Sequence, residues 1–213
     1  EFRRVLFRSS EQIFQGCLVP PQTESDKYLF EKMKEFWVTC AVQIGCDIPT
    51  TEKALSLARR YPGIFRATIW YHPEHAQHFS LETVEDEMDT LEKMISENLD
   101  VVVAIGECGL DYHYLSDRKD EEIAIQRYSF ARQAEWWKKY DLPLVIHSRD
   151  AKEDTLSFIK EYDIRFAIMH CFSEDYDFAA ELMKHSEKIF FSFSGIVTYK
   201  SAPLIQDAAA RLP

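Results

Sequence analysis

The sequence predicts an α/β fold in which parallel strands alternate with helices. Six apolar runs recur along the 213 residues, charged stretches with helical spacing separate them, and the runs are mostly continuously apolar rather than alternating. Continuous apolar strands are typical of sheets covered on both faces, and strand–helix repetition favours parallel pairing. The pattern fits an open doubly wound sheet or a closed barrel. Because no repeat, low-complexity segment or linker-like stretch divides the chain, we expect one domain.

The elements follow one another regularly. Strands are predicted at residues 38–44, 64–71, 101–105, 142–146, 166–169 and 189–193, and helices at 51–60, 81–98, 121–140, 152–162 and 175–184. Ser80, with acidic residues soon after it, is a typical helix start, and Ser173 is another.

Composition and charge restrict the class of protein. A chain that is 46% hydrophobic and 29% charged is typical of soluble globular proteins, and no apolar run approaches the ~20 residues of a membrane helix. The net charge of −11 argues against a general electrostatic nucleic-acid binder, but not against an enzyme that meets phosphates through metal ions and a few arginines. The five cysteines form no CxxC pair, which favours reduced thiols in a cytoplasmic protein. We expect a monomer without membrane association.

Residues with metal-binding chemistry follow four of the predicted strands. His72, Glu107, His147 and His170 each come directly after an apolar run. In a parallel barrel these strand ends meet at one mouth, and imidazole and carboxylate groups are ligands for Zn²⁺ and other divalent ions. Any one of these residues alone is more often structural. Two histidines and a glutamate from three strands, however, predict a metal cluster.

Longer segments resemble the motifs of the TatD family of metal-dependent hydrolases. The segments are RATIWYHPEHA (66–76), IGECGLDYH (105–113), LPLVIHSRDA (142–151), IMHCFS (168–173) and SFSGIVTYK (192–200). The likeness extends over about residues 38–213. It implies a TIM-type (β/α)8 barrel.

The resemblance also implies that this barrel is incomplete, with about six of its eight strands. The family opens with a strand carrying His-x-His and ends with a strand carrying a ligand aspartate in an E-T-D motif. No His-x-His occurs in this sequence, and its last residues are Arg211-Leu212-Pro213. We therefore expect strands two to seven of the barrel, weak metal affinity, and little or no activity from the 213-residue chain itself.

Roles for individual residues follow from the resemblance. It implies that Glu107, His147 and His170 bind divalent ions, expected to be two ions of Mg²⁺, Mn²⁺ or Zn²⁺, with Glu107 able to bridge them. Asp111 orients the cluster and, with Glu107, is a candidate catalytic residue. His72 and Arg149 are candidates for holding the substrate phosphate. The implied reaction is phosphodiester hydrolysis by metal-activated water, notably the trimming of DNA from its 3′ end.

Three alternatives remain open. The same centre could hydrolyse another ester, such as that of a D-aminoacyl-tRNA. The chain could be a non-catalytic binding module that kept the barrel. It could also belong to another amidohydrolase-like family acting on amides or lactones, although no lysine stands at a strand end suited to carbamylation.

The first nine residues, EFRRVLFRS, match the translation of a sequencing adapter. We interpret residues 1–9 as an artefact and residues 10–213 as a single truncated hydrolase domain.

Three tryptophans stand where the family has glycine or another small residue. They are Trp37, Trp70 and Trp137, in a chain with only 6 glycines. Our hypothesis is that UGA codons meaning glycine in the source organism were translated as tryptophan, ordinary substitution being the alternative.

Overall fold

The computed structural model describes residues 23–213. The strands are β1 (Ala41–Gly45), β2 (Phe65–Ile69), β3 (Val102–Asp111), β4 (Leu144–Arg149), β5 (Ala167–Met169) and β6 (Ile189–Phe191). The helices are α1 (Glu24–Glu35), α2 (Ile48–Arg60), α3 (Pro73–Ala76), α4 (Leu81–Ser96), α5 (Lys119–Tyr140), α6 (Lys152–Glu161), α7 (Tyr176–His185) and α8 (Pro203–Arg211), with a 3₁₀ helix at Gly195–Thr198. The segment interpreted as adapter-derived, residues 1–9, lies outside the described residues.

All six strands form one sheet in which neighbours in the chain are neighbours in space. The order is β1-β2-β3-β4-β5-β6, and every adjacent pair is parallel. Helical connections between successive strands are what parallel pairing requires. Within residues 23–213, β1 and β6 each pair with a single strand and form the two edges. This confirms the predicted α/β fold with six strands of an incomplete barrel.

The helices cover the sheet with apolar faces of helical period. On α4, the fully buried residues are Val84, Met88, Leu91 and Ile95, at spacings of four, three and four. The predicted cap Ser80 begins this helix and accepts a hydrogen bond from the backbone N–H of Thr83 at 3.2 Å. Within the described part of the chain, no helix is both long and apolar enough to cross a membrane.

Several element boundaries differ from the predictions. Helix α1, the short helix α3 and helix α8 were not predicted. Residues 38–40 do not belong to β1, because the N–H of Val38 bonds the carbonyl of Met33 at 2.8 Å and so completes the end of α1. Helix α7 is capped by Asp175, not Ser173, since the Asp175 carboxylate accepts from the N–H of Phe178 at 2.8 Å.

The differences that matter most for function are in β3 and β4. Strand β3 continues six residues beyond Ile105, and β4 includes His147 and Arg149. Glu107, His147 and Arg149 therefore lie inside strands, not directly after them as predicted. The two strands continue together because they pair with each other as far as Asp111 and Arg149.

Candidate metal centre

Glu107 lies in a β-bulge. In the pairing of β3 with β4, Gly106 faces Val145 and Cys108 faces Ile146, so Glu107 is the extra residue. A bulge interrupts the alternation of side chains and redirects the extra one, which is why bulges occur next to active sites. The bulge therefore gives Glu107 an orientation that a regular strand would not.

Glycines on either side of Glu107 make this bulge possible. Gly106 has φ +139° and Gly109 has φ +131°, a backbone conformation that side chains disfavour. A Cβ atom at Gly106 would overlap the carbonyl oxygen of Val145, and one at Gly109 would overlap that of His147. The close approach of β3 and β4 at the site thus requires glycine at both positions.

The two carboxylate oxygens of Glu107 face two different imidazoles. Oε1 lies 3.2 Å from Nδ1 of His147, and Oε2 lies 3.7 Å from Nε2 of His170. Ligand atoms about 2.0–2.1 Å from a tetrahedral ion lie about 3.3 Å from each other. The distances from the Glu107 oxygens to the two imidazole nitrogens are therefore close to those between two ligand atoms of one metal ion.

His147 lies between two carboxylates. Its Nε2 is 2.9 Å from Oδ2 of Asp111, a residue that is only 3% exposed. Burial lowers the pKa of His147, but hydrogen bonds to Asp111 and Glu107 outweigh it and raise the pKa to about 9. For both acids burial raises the pKa, and the hydrogen bond from His147 with nearby positive charge brings it below the usual range. Without a metal ion, the site thus holds a proton between two carboxylates, and this arrangement favours a cation.

His170 has one nitrogen toward Glu107 and the other near a hydroxyl group. Its Nδ1 is 3.4 Å from the hydroxyl of Ser192, which follows β6, and its Nε2 is 3.2 Å from the thiol of Cys171. A proton on Nδ1, shared with Ser192, leaves the Nε2 lone pair on the side of Glu107. This is the tautomer that a metal ligand needs.

His72 lies next to the same cluster. A ligand atom of each of His72, Glu107 and His147 lies within 4.8 Å of the other two. His72 also caps α3, because its Nδ1 accepts a hydrogen bond from the N–H of Glu74 at 3.2 Å. Burial, together with the charge of His147, lowers the pKa of His72 and favours the neutral ring. Since Nδ1 accepts, the proton is on Nε2, and that nitrogen is a donor.

Arg149 lies at the rim of the centre. It is the register partner of Asp111 across β3 and β4, and its guanidinium carbon lies 4.9 Å from the ring centroid of Tyr114. Among the described residues, no carboxylate comes within ion-pair distance of Arg149. The guanidinium therefore lies against the ring of Tyr114 and remains available to bind an anion.

The structure brings all the predicted site residues to one end of the sheet. Glu107, His147, His170 and Asp111 are linked in one chain of contacts, His72 is beside His147, and Arg149 is beside Asp111. The imidazoles of His147 and His170 and the carboxylate of Glu107 are ligands that divalent transition ions prefer. Asp111, which bonds the far nitrogen of His147, is the kind of partner that orients such a ligand.

Sequence reasoning missed a set of polar residues behind the site. These residues form the buried polar stripe of α5, namely Glu122, Gln126, Ser129 and Gln133, which are all at most 3% exposed. Their spacing of four, three and four residues places them on one helix face. That spacing was visible in the sequence and shows that the four residues share a face, although it does not show that the face is buried.

Comparisons with known proteins identify the family of this chain. The model of the family described as TatD related DNase matches residues 17–213. The uncharacterized metal-dependent hydrolase YabD of Bacillus subtilis is 34% identical over 187 residues, which cover 87% of this chain and 68% of YabD. An uncharacterized metal-dependent hydrolase of Mycoplasma pneumoniae is 32% identical over 80% of this chain, and the match spans 64% of its length.

Two further comparisons concern a named nuclease and a solved structure. A protein named 3′-5′ ssDNA/RNA exonuclease TatD, from Erwinia amylovora, is 30% identical over 67% of this chain and 52% of its own length. The crystal structure of YJJV, a TatD homolog from Escherichia coli K12, superposes with a TM-score of 0.77 at 24% identity and covers 91% of this chain and 71% of that chain. The solved structure supports the fold, and the family match extends over the whole described chain. This protein belongs to the TatD family of metal-dependent hydrolases.

Proposed function

We propose that the centre around Glu107 serves the hydrolysis of phosphodiester bonds in nucleic acid, with DNA shortened from its 3′ end. The observation that carries the proposal is the position of Glu107, with one carboxylate oxygen toward His147 and the other toward His170. The name of the Erwinia relative and the description of the family support a nucleic-acid substrate.

Glu107, His147 and His170 are the residues that would hold the metal. Because each oxygen of Glu107 faces a different imidazole, these residues would offer ligand atoms for two divalent ions, drawn from Mg²⁺, Mn²⁺ and Zn²⁺. When bound, such ions supply Lewis acidity and lower the pKa of coordinated water. Asp111 accepts the Nε2 proton of His147 and so leaves Nδ1 on the side of Glu107.

His72 and Arg149 provide the groups for substrate phosphate. His72 carries its proton on Nε2, because Nδ1 accepts from Glu74, and can donate to a phosphate oxygen. Arg149 offers a guanidinium with no carboxylate partner among residues 23–213. Arginine matches phosphate geometry well. The net charge of −11 disfavours extended contact with a phosphate backbone, so we expect few phosphate contacts and a weak dependence of binding on salt.

We also propose a cytoplasmic location. Four cysteines in the described part of the chain, Cys40, Cys46, Cys108 and Cys171, are free thiols, as a reducing compartment allows.

Metal titration and parallel hydrolysis assays test the function. We expect weak calorimetric binding of Mn²⁺ or Zn²⁺, with a Kd at least tenfold higher in Glu107→Ala. The control Glu85→Ala, at an exposed position of α4, should bind as the parent does. The substrates are 5′-labelled single-stranded DNA and a D-aminoacyl-tRNA.

The expected hydrolysis is slow, metal-dependent shortening of the DNA from its 3′ end, absent in Glu107→Ala. It should be slow because no His-x-His pair occurs in this sequence. If the amino acid is released from the D-aminoacyl-tRNA faster than nucleotides are released from the DNA, the proposed activity is wrong and the esterase activity is favoured. Metal binding unaffected by Glu107→Ala would contradict the proposed centre, and absence of metal binding would favour the non-catalytic binding module.

A further inference from the structure

The buried polar stripe of α5 contains two glutamines whose side-chain amides bond backbone groups outside the helix, and Gln133 also donates to the Ser129 hydroxyl within the stripe at 3.2 Å. Gln126 and Gln133 are both fully buried, and each side-chain amide bonds both the N–H and the C=O of one residue in or just beyond a strand. A buried amide needs such partners, since leaving it unpaired costs about 1–3 kcal/mol. The two amides bond the backbone of residues that belong to, or lie next to, the candidate metal centre.

Gln126 bonds the backbone of Asp111. Its Oε1 accepts from the Asp111 N–H at 2.8 Å, and its Nε2 donates to the Asp111 carbonyl at 2.7 Å. Strand β2 pairs with β3 only as far as Ile69 and Ile105, whereas β3 continues to Asp111. On that side Asp111 has no strand partner among the described residues, and the Gln126 amide takes the place of one.

Gln133 does the same for Tyr71. The Tyr71 N–H donates to Oε1 of Gln133 at 3.1 Å, and Nε2 of Gln133 donates to the Tyr71 carbonyl at 3.2 Å. Tyr71 lies beyond the end of β2 and directly before His72. Gln133 therefore fixes the segment that carries His72.

A third amide joins the two segments laterally. Nε2 of Gln126 also donates to Oε1 of Gln77 at 2.7 Å, and Gln77 follows α3, the helix that His72 caps. The two glutamines are seven residues apart on one helix, about 10.5 Å along its axis. Helix α5 is thus a rigid spacer between the Asp111 segment and the His72 segment.

We propose that Gln126 and Gln133 are positioning residues of the metal centre. Gln126 acts through Asp111, whose carboxylate orients His147, and Gln133 acts through the backbone that carries His72. This inference rests on the proposed metal centre. In this proposal, α5 supplies none of the metal ligands but holds the backbone segments that carry Asp111 and His72 in position.

Titration with Co²⁺, followed by the visible absorption of the bound ion, tests the inference. The variants are Gln126→Met and Gln133→Met, which keep side-chain length and remove the amide. We expect the Co²⁺ Kd to rise about tenfold or more for Gln126→Met, as is typical when a partner of a ligand is lost, and about threefold for Gln133→Met. The absorption band of bound Co²⁺ should also shift for Gln126→Met, because His147 loses its orientation.

Asn98→Leu is the matched control. Asn98 is also a buried amide bonded to backbone, through Nδ2 to the Met94 carbonyl at 2.7 Å, but it lies at the opposite end of β3 from the metal centre. This variant should lose stability and keep the Co²⁺ Kd and spectrum of the parent. Equal Kd values for the parent, Gln126→Met and Gln133→Met would overturn the inference.

Two outcomes separate this inference from the proposed function. If the parent chain fails to bind Co²⁺, the metal centre itself is refuted. If Gln126→Met does not fold, Gln77→Met replaces it, because that change loosens Gln126 and leaves both of its bonds to Asp111. A Co²⁺ Kd about threefold higher in Gln77→Met supports the positioning role, and an unchanged Kd contradicts it.

Discussion

His147 carries a proton where the proposed function places a metal ion. Its ring lies between Glu107 and Asp111, at 3.2 Å and 2.9 Å, so a cation satisfies both carboxylates. A proton on Nε2 can stay with Asp111 when a metal binds, whereas Nδ1 must lose its proton. In the proposed function, metal binding at Nδ1 of His147 would therefore require the loss of that proton.

This protonation predicts a dependence of stability on pH in metal-free protein. The pKa of His147 rises from 6.5 to about 9 on folding, so its contribution is fully present below pH 6.5 and is lost as pH rises to about 9. Urea unfolding in EDTA at a series of pH values should show the free energy of unfolding falling across this window in the parent. The fall should be smaller in His147→Gln. Parallel curves for the two proteins would show that His147 is not the charged group.

Trp37 has a backbone conformation suited to glycine. It follows the last turn of α1 with φ +58°, its N–H bonds the Lys34 carbonyl at 3.3 Å, and its side chain is exposed. This is the helix ending in which glycine is usual, because a Cβ atom is strained at positive φ. The conformation supports the hypothesis that this codon meant glycine.

Trp37→Gly should therefore raise the free energy of unfolding by about 1 kcal/mol. Asp141→Gly is the control, since Asp141 ends α5 with φ +53° and aspartate tolerates this conformation better. Its gain should be smaller, and urea unfolding measures both. A loss of stability in Trp37→Gly would contradict the role of backbone strain.

Trp70 and Trp137 are less informative about the codon hypothesis. Trp70 is buried with its ring 4.8 Å from that of His72, and its indole N–H has no hydrogen-bond partner in the described part of the chain. Trp137 is half-buried against the core. The hypothesis remains a prediction about the gene, and UGG codons at Trp37 and Trp70 would refute it.

At the scale of elements, the bulge of β3 connects local sequence to the site. Gly109 lies opposite His147, and a Cβ atom there would overlap the His147 carbonyl oxygen. Gly109→Ala should lower the free energy of unfolding by at least about 2 kcal/mol, because strain at positive φ adds to this overlap. It should also weaken metal binding, since β4 must move.

Gly195→Ala is the control for this change. No atom lies within 4 Å of the Cβ position at Gly195, and its φ is not positive, so its unfolding free energy should stay within about 0.5 kcal/mol of the parent. Urea unfolding and metal titration of both variants give the comparison. A Gly109→Ala protein as stable as the parent would show that the strands can separate without cost.

The strands and most helices were predictable, but the end of β3 was not. Apolar runs mark buried strands, and the helix positions follow from period and capping residues such as Ser80. The sequence after Ile105 contains two glycines and two acids and reads as a turn. It stays in the strand because β4 pairs with it through a bulge, a long-range contact that local sequence does not encode.

Helix α5 is a second case in which local sequence does not encode a long-range contact. Its burial of Gln126 and Gln133 depends on backbone groups of Asp111 and Tyr71, which are distant in the chain. Local pattern places these glutamines on one face but does not say that the face is inward. Buried polar groups are therefore harder to predict than an apolar face.

For the whole molecule, parallel pairing brings the site together. His72, Glu107, His147 and His170 come from four successive strands or their ends and meet at one end of the sheet. This meeting was predictable, because parallel strands share the direction of their carboxyl ends. The ring orientations of His72 and His170 were not predictable, because they depend on contacts with the Glu74 N–H and the Ser192 hydroxyl.

The most direct test of the metal centre is a crystal structure of the protein grown with Mn²⁺ or Zn²⁺, with anomalous scattering used to locate the ion. The account predicts an anomalous peak within about 2.0–2.3 Å of a Glu107 oxygen and of Nδ1 of His147 or Nε2 of His170. Asp111 should remain bonded to Nε2 of His147. A peak away from Glu107, or no peak at saturating metal, would contradict the account.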